Sequence, residues 1–357
     1  MTPQRLTAMR LHHQGIASPQ AATVADTVAR LGAVQAQDYH AALWAVGLRT
    51  AGASEADVEA AIARGEIIRT WPMRGTLHLL TAADVRWMLA LMASRVIALD
   101  AARRQREYGL DQRLAGLCAD VLSRALEGGR RLTRSALYEV LETAGIATGQ
   151  QRGLHILGLL AQQGVLCQGP REGRQPTFAL LREWAPQSRD LPREQALTEL
   201  ALRYFRSRGP ATVQDFSNWS GLTVTDARRG LQAAAQQLQK TNLDGRDYWF
   251  AADAEPHPAP AVHLLPAFDE YLIAYKDRSA ALDPAIARQV IGVNGLYNPV
   301  IVIDGRVAAT WKRSIGKECV ALELQPLRTL KRTELRAIGD CVRRYGQFLG
   351  KPVRLGD

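Results

Sequence analysis

At 357 residues, 47% hydrophobic and 22% charged, the chain is globular rather than disordered and too long for one ordinary core, so two or three domains are expected. A formal net charge of +10 points to nucleic acid or another polyanion, although arginine far outnumbers lysine, as a GC-rich genome alone would produce. No apolar run approaches the ~18 residues of a membrane span and the N-terminus lacks the apolar core of a signal peptide, so a cytoplasmic protein with no membrane partner is expected.

In chain order, Ser18-Pro19 supplies an N-cap and a first-turn proline, and Ala21, Val24, Val28 and Leu31 then share one helical face. Residues 31–44 follow, L-G-A-V-Q-A-Q-D-Y-H-A-A-L-W. If this run is extended, Gln35 and Gln37 point to one side and Ala36 to the other. Two such amides suit holding a water or a base edge, and equally suit hydrogen-bonding a chain reversal. Neither takes a proton at neutral pH, so their chemistry would be orientation rather than general base work.

Ser54 and Asp57 resemble a capping box for a short helix carrying Val58, Ala61 and Ile62 on its apolar side. The β-rich runs 67–71 and 76–80 flank Pro72-Met73-Arg74-Gly75 and read as a hairpin, after which Thr81 caps a helix reaching about Leu99. Helices followed by a hairpin form the winged-helix order, and it returns twice. Helices at 112–126, 133–141 (capped by Thr133) and from Thr148 (Leu154, Leu157 and Leu160 inward) precede strand-like runs 165–168 and 177–181 around G-P-R-E-G-R-Q-P. Helices at 192–206, 212–219 and 225–238 precede a hairpin turning at Asp244-Gly245.

Charge separates the copies. In the first, the helix after Ser54, just ahead of the hairpin, carries Glu55, Asp57 and Glu59, which would repel phosphates. The second sets Gln150, Gln151 and Arg152 at a helix N-terminus and Arg171 and Arg174 in its wing, while the third aligns Arg229, Gln232, Gln236 and Gln239. These faces could hold a duplex or simply be solvated. Residues 251–260 read as a proline-rich linker. Beyond it, 262–266, 271–275 and 299–311 are strand-like, with a hairpin at Asp304-Gly305, Arg306 at its tip and Lys312 and Arg313 further on. A closing helix at 331–348 repeats Leu335, Ile338, Val342 and Tyr345 as core. Cys118, Cys167, Cys319 and Cys341 form no C-x-x-C pair, and no H-E-x-x-H, Walker A or G-x-G-x-x-G is present, so neither metal nor cofactor is expected.

Four stretches together resemble the AlkZ-like winged-helix DNA glycosylases: V-Q-A-Q-D at 34–38, R-T-W-P-M-R-G-T-L-H-L-L at 69–80, F-D-E-Y-L-I-A-Y-K-D-R at 268–278 and N-P-V-I-V-I-D-G-R-V-A-A-T-W-K-R at 298–313. The resemblance implies a mainly α fold with β. Three tandem winged helices (1–110 with the Q-x-Q motif, 111–190, 191–255) would precede a β-rich, barrel-like domain with its closing helix (256–357), forming a C-shaped channel for duplex DNA. It implies excision of N-alkylated bases, in some members unhooking of interstrand crosslinks, and self-resistance in toxin producers. Gln35 and Gln37 fall on the Q-x-Q motif of one branch, and Asp304, Gly305 and Arg306 on a hairpin used on DNA.

An N7-alkylguanine or N3-alkyladenine is cationic and leaves with little acid help, through an oxocarbenium-like sugar to which water adds readily. Placing that water matters more than deprotonating it, and amide carbonyl dipoles stabilise the developing positive charge. The expectation is therefore a monomeric, monofunctional glycosylase acting on nucleoid DNA with alkylated purines. Gln35 and Gln37 would be catalytic, and Arg74, His78, Gln150, Arg152, Arg171, Arg174, Arg229, Asp304, Gly305, Arg306 and Lys312 would be DNA-binding. Asp38 would be a true base only if it turned inward, against the strand alternation. His78 is either a structural hydrogen-bonder or, with Arg74, part of the channel lining. The first lysine is Lys240, which disfavours a Schiff-base lyase. The rivals are a winged-helix transcription regulator, dimeric on a palindrome, and a protein that shields alkylated DNA without cutting it.

Overall fold

The computed structural model describes residues 1–252, 261–316 and 318–356, so the expected linker lies outside the described residues apart from Ala251 and Ala252. The chain divides into two compact units, one of Met1–Val58, Leu197–Trp219 and Thr223–Asp357, the other of Glu59–Ala196 with Ser220–Leu222. Among the described residues no helix is long and apolar enough to cross a membrane.

In the unit centred on Glu59–Ala196, two hairpins merge into one sheet. Strand Ile67–Met73 pairs with Thr76–Thr81, and Leu166–Glu172 pairs with Gln175–Leu180. Arg69 stands opposite Gln168 and joins them, its Nη1 donating to Gln168 Oε1 at 2.6 Å. The first hairpin turns on Arg74 (φ 55°) and Gly75 (φ 70°), both left-handed as a two-residue type I′ turn requires. The second hairpin is longer than expected: its strands run on to Glu172 and Gln175, leaving only Gly173 and Arg174 as the turn. Helices Gln112–Leu126, Arg134–Thr143 and Arg152–Gln162 pack Leu122, Leu126, Leu137, Leu141, Leu157 and Leu160 into one core with Phe178. Thr133 caps the second of these as expected, its side chain accepting from Ala136 N–H. The third starts four residues after Thr148, with Gln151 at its N-cap; Leu154 lies in its first turn and is exposed, while Ile156 is buried beside Leu157 and Leu160. The helix expected to stop near Leu99 runs through Val85–Tyr108, its last turns carrying Asp100–Arg104 and Arg103–Glu107 pairs.

The other unit opens with a helix absent from the sequence reading, Pro3–His13, capped by Thr2 with proline in its first turn. The next helix is Val24–Leu31, capped by Thr23 rather than Ser18. Helix Tyr39–Gly47 was also unanticipated: every residue from Ala41 to Gly47 is buried, so its sequence carries no amphipathic period. Helices Arg193–Arg208, Val213–Ser220 and Val224–Ala234 follow, then the hairpin Gln239–Leu243 with Arg246–Phe250, turned at Asp244-Gly245 as expected. The third helix ends at Ala234, so Gln236 sits in a 3₁₀ turn and Gln239 opens a strand instead of continuing the Arg229 face.

The C-terminal part is a five-stranded curled sheet in the order Val353–Leu355, Val320–Pro326, Arg306–Ile315, Val300–Ile303, Val262–Leu265, antiparallel except for the first pair. Its hairpin turns at Asp304-Gly305 (φ 49° and 80°). The closing helix Arg332–Leu349 covers it, with Trp44 packed on Tyr345 and Phe348 at ring distances of 5.0 Å each. Ile338, Val342 and Tyr345 are core, whereas Leu335 is exposed. Residues 271–275, read as strand for their aromatic and β-branched content, instead finish a short buried helix, Glu270–Ile273, and leave it at Ala274 and Tyr275.

Candidate active site

The glutamine pair lies between two helices. Val24–Leu31 ends at Gly32, whose φ of 73° a residue with a Cβ adopts only with strain. The chain then extends through Val34–Gln35, and the next helix begins at Tyr39. The strand stops at Gln35 and the chain bends at Gln37 and Asp38: Ala36 is fully buried, Gln35 half-buried, and Gln37 and Asp38 are both exposed. Asp38 is the N-cap of helix Tyr39–Gly47, its carboxylate accepting the Ala41 N–H at 3.0 Å. It thus satisfies a helix terminus rather than turning inward as a base. His40, two residues further on, meets Glu55 at 3.2 Å.

Beneath this segment lies a charged cluster with no access to water. Arg208 and Glu270 are both fully buried. Arg208 donates through Nε and Nη2 to Glu270 Oε2 at 2.9 and 2.7 Å. Its other N–H groups reach the carbonyls of Leu31 at 2.6 Å and Ala33 at 2.8 Å, and Ser207 Oγ at 2.9 Å. All five guanidinium donors are therefore engaged. Glu270 Oε2 also accepts the Trp219 indole N–H at 2.9 Å, which leaves Oε1 for the Gln35 backbone N–H at 3.1 Å. The Trp219 ring lies 4.3 Å below the guanidinium.

The neighbouring acid makes a second pair. Asp269 takes a two-pronged contact from Arg49 at 2.8 and 2.9 Å, and Arg49 also donates to the carbonyls of Gln14 and Ala45. Burial pushes the Tyr275 hydroxyl up to about 12, so it stays a neutral donor, to the Arg208 carbonyl at 2.8 Å. Within F-D-E-Y, each acid thus holds its own buried arginine. Spacing and composition alone assign Asp269 and Glu270 no role. The available signal was two adjacent acids inside an otherwise apolar run.

A family model described as "DNA glycosylase AlkZ-like" matches residues 28–348. The chain belongs to the AlkZ-like DNA glycosylase family. It is accordingly an enzyme, a DNA glycosylase, and its substrate is DNA with damaged bases. It is 29% identical over 326 residues to an "Interstrand DNA cross-link repair glycosylase" of Streptomyces sahachiroi, spanning 87% of each chain. The solved structure of the Streptomyces sahachiroi DNA glycosylase AlkZ is similar over 100% of both chains, with a TM-score of 0.82 and 26% identity.

The residues expected on DNA fall into different settings in this AlkZ-like fold. Arg174, Arg229, Asp304, Arg306 and Lys312 have exposed side chains, and Gln150 is exposed just ahead of helix Arg152–Gln162. Arg74, Arg152 and Arg171 are half-buried, Arg171 donating to the Arg174 carbonyl at 2.8 Å. Two expectations are corrected. His78 is fully buried: its Nδ1–H donates to the Thr76 carbonyl at 2.9 Å, leaving Nε2 to accept from Arg74 at 3.3 Å, so it orients Arg74 rather than offering its own surface. Gly305 is buried as well, packed on Thr7, with its carbonyl taken by the Tyr271 hydroxyl at 2.6 Å. That hairpin tip is docked on the protein itself, leaving only the Asp304 and Arg306 side chains outward.

Proposed function

We propose that this enzyme hydrolyses the N-glycosidic bond of cationic N-alkylated purines, chiefly N7-alkylguanine, through a water held by the side-chain amides of Gln35 and Gln37. A cationic purine departs with little acid assistance, so correct placement of the nucleophile carries the rate. Neutral amides fit that task and fit a normal, uncharged base poorly, which makes the same pair a selectivity filter. The observation that supports this most is the setting of residues 35–37. Gln35 is half-buried and Gln37 exposed on either side of the buried Ala36, on a backbone tied to Arg208 and Glu270.

We extend the proposal to bulky adducts and, from the relative's name, to interstrand crosslinks, substrates too large to be flipped into a closed pocket. We read the three helix-and-hairpin repeats as tandem winged helices followed by the β-rich domain, acting as a monomer on nucleoid DNA in the cytoplasm. Arg74, Gln150, Arg152, Arg171, Arg174, Arg229, Asp304, Arg306 and Lys312 are the proposed DNA contacts. Those to phosphates carry affinity without sequence preference. The transcription-regulator alternative has no observation in its favour once the family is a glycosylase family.

Substituting Gln35 and Gln37 together by alanine tests the proposal. Excision of 7-methylguanine from a duplex is expected to fall by about 100-fold or more, with DNA affinity unchanged. Excision at the wild-type rate would end the amide mechanism.

A further inference from the structure

We infer that Arg208 and Glu270 are positioning residues for the reaction, a buried clamp that sets the direction of the Gln35 amide. This rests on the catalytic reading of Gln35. The contacts are specific to the catalytic segment. Arg208 holds the carbonyls of Leu31 and Ala33, and Glu270 holds the N–H of Gln35, so three backbone groups in five consecutive residues are fixed by one ion pair. Ala33 and Ala36 are both fully buried, so the backbone has no room to rotate about these anchors.

Stability does not explain the pair. Removing two charges from water costs several kcal/mol per ion, and well-packed apolar residues of the same volume commonly stabilise a fold as well or better. What apolar residues lack is direction. A guanidinium with all five donors engaged and a carboxylate with both oxygens engaged have one arrangement, and the peptide of Gln35 inherits it. Trp219 completes the clamp: its indole N–H and ring face fix the carboxylate and the guanidinium from one side. The side-chain amide of Gln35 starts from that peptide, and a shift of about 1 Å in a positioning group costs about 100-fold in rate.

The test is a cycle of variants in the full-length protein, read by single-turnover excision of 7-methylguanine from a duplex and by Kd for the same DNA. Arg208→Met with Glu270→Leu replaces the pair by apolar side chains and leaves no lone buried charge. Glu270→Asp keeps the charge but shortens its reach, and serves if the apolar pair does not fold. Either is expected to slow excision by about 100-fold with Kd within about threefold of wild type. Adding Gln35→Ala to either is expected to cost almost nothing more, because the amide is already misdirected. Coupling of this kind is not expected of residues that only support the fold, whose losses multiply with those of a distant site. Wild-type excision in the variants, or a full further loss on adding Gln35→Ala, overturns the clamp while the amide mechanism stands. Gln35→Ala alone excising at the wild-type rate overturns both.

Discussion

Asp269 and Glu270 are adjacent in the chain, and each is fully engaged by a buried arginine, yet the two pairs face different things. Arg49–Asp269 closes on helix ends, tying the carbonyls of Gln14 and Ala45 to the cap of helix Glu270–Ile273. Arg208–Glu270 closes on the backbone of the Q-x-Q segment. Similar chemistry one residue apart therefore has two consequences: breaking the first should make the protein less stable but leave the folded enzyme active, and releasing the second should leave it folded and slow. A buried ion pair is informative about function through what its remaining hydrogen bonds hold, not through its Coulomb energy.

The largest effect expected on the Arg49 side follows from removing one partner. Asp269→Asn leaves the Arg49 charge buried without its counter-ion, a loss of about 3–5 kcal/mol, read as a lower midpoint in urea. Excision per folded molecule should stay near wild type. A rate loss exceeding the stability loss would erase the distinction between the pairs.

His263 gives a second probe of the same region. Burial first, and then the positive charges of Arg344 and Arg49, push its imidazole down to about 4, and its Nε2 is buried without a hydrogen-bond partner. The unfolded chain binds that proton near pH ~6.5 while the folded one does not until near 4, so stability declines as pH falls through that window. The full contribution is of order 3 kcal/mol. His263→Leu should flatten the decline, measured as urea midpoint against pH. An unchanged slope would show that another group governs acid stability.

The smallest effect separates a helix cap from a base beside the glutamines. Asp38→Ala should cost about 1 kcal/mol of stability and lower excision less than about tenfold. A general base would lose about 100-fold or more, which would transfer the chemistry from the amides to the carboxylate.

Much of the fold was legible where local chemistry decides it. Asp304-Gly305 and Asp244-Gly245 turn hairpins because both central residues need positive φ, and the sequence announces that directly. Helix Tyr39–Gly47 was not legible, because burial on every side removes the period that reveals a helix. Residues 271–275 read as strand because short buried helices and strands share the same apolar, aromatic content. Of the proposed site, the spacing of Gln35 and Gln37 left a chain reversal open, and only the resemblance of 34–38 to the Q-x-Q motif singled the pair out. Their support was not legible: Arg208 and Glu270 lie 62 residues apart, and neither is near the glutamines in sequence. Leu154 and Gly305 show the converse error, where a sound local pattern failed because the residue lies in an exposed first turn or because a turn docked on Thr7.

The most direct measurement compares two duplexes of identical sequence, one carrying a single 7-methylguanine and the other guanine, under single-turnover conditions with alkali cleavage of abasic sites. The account predicts breaks at the methylated position alone, in proportion to enzyme. Duplex that is bound but keeps its methylated base, or guanine released as fast as 7-methylguanine, would contradict it.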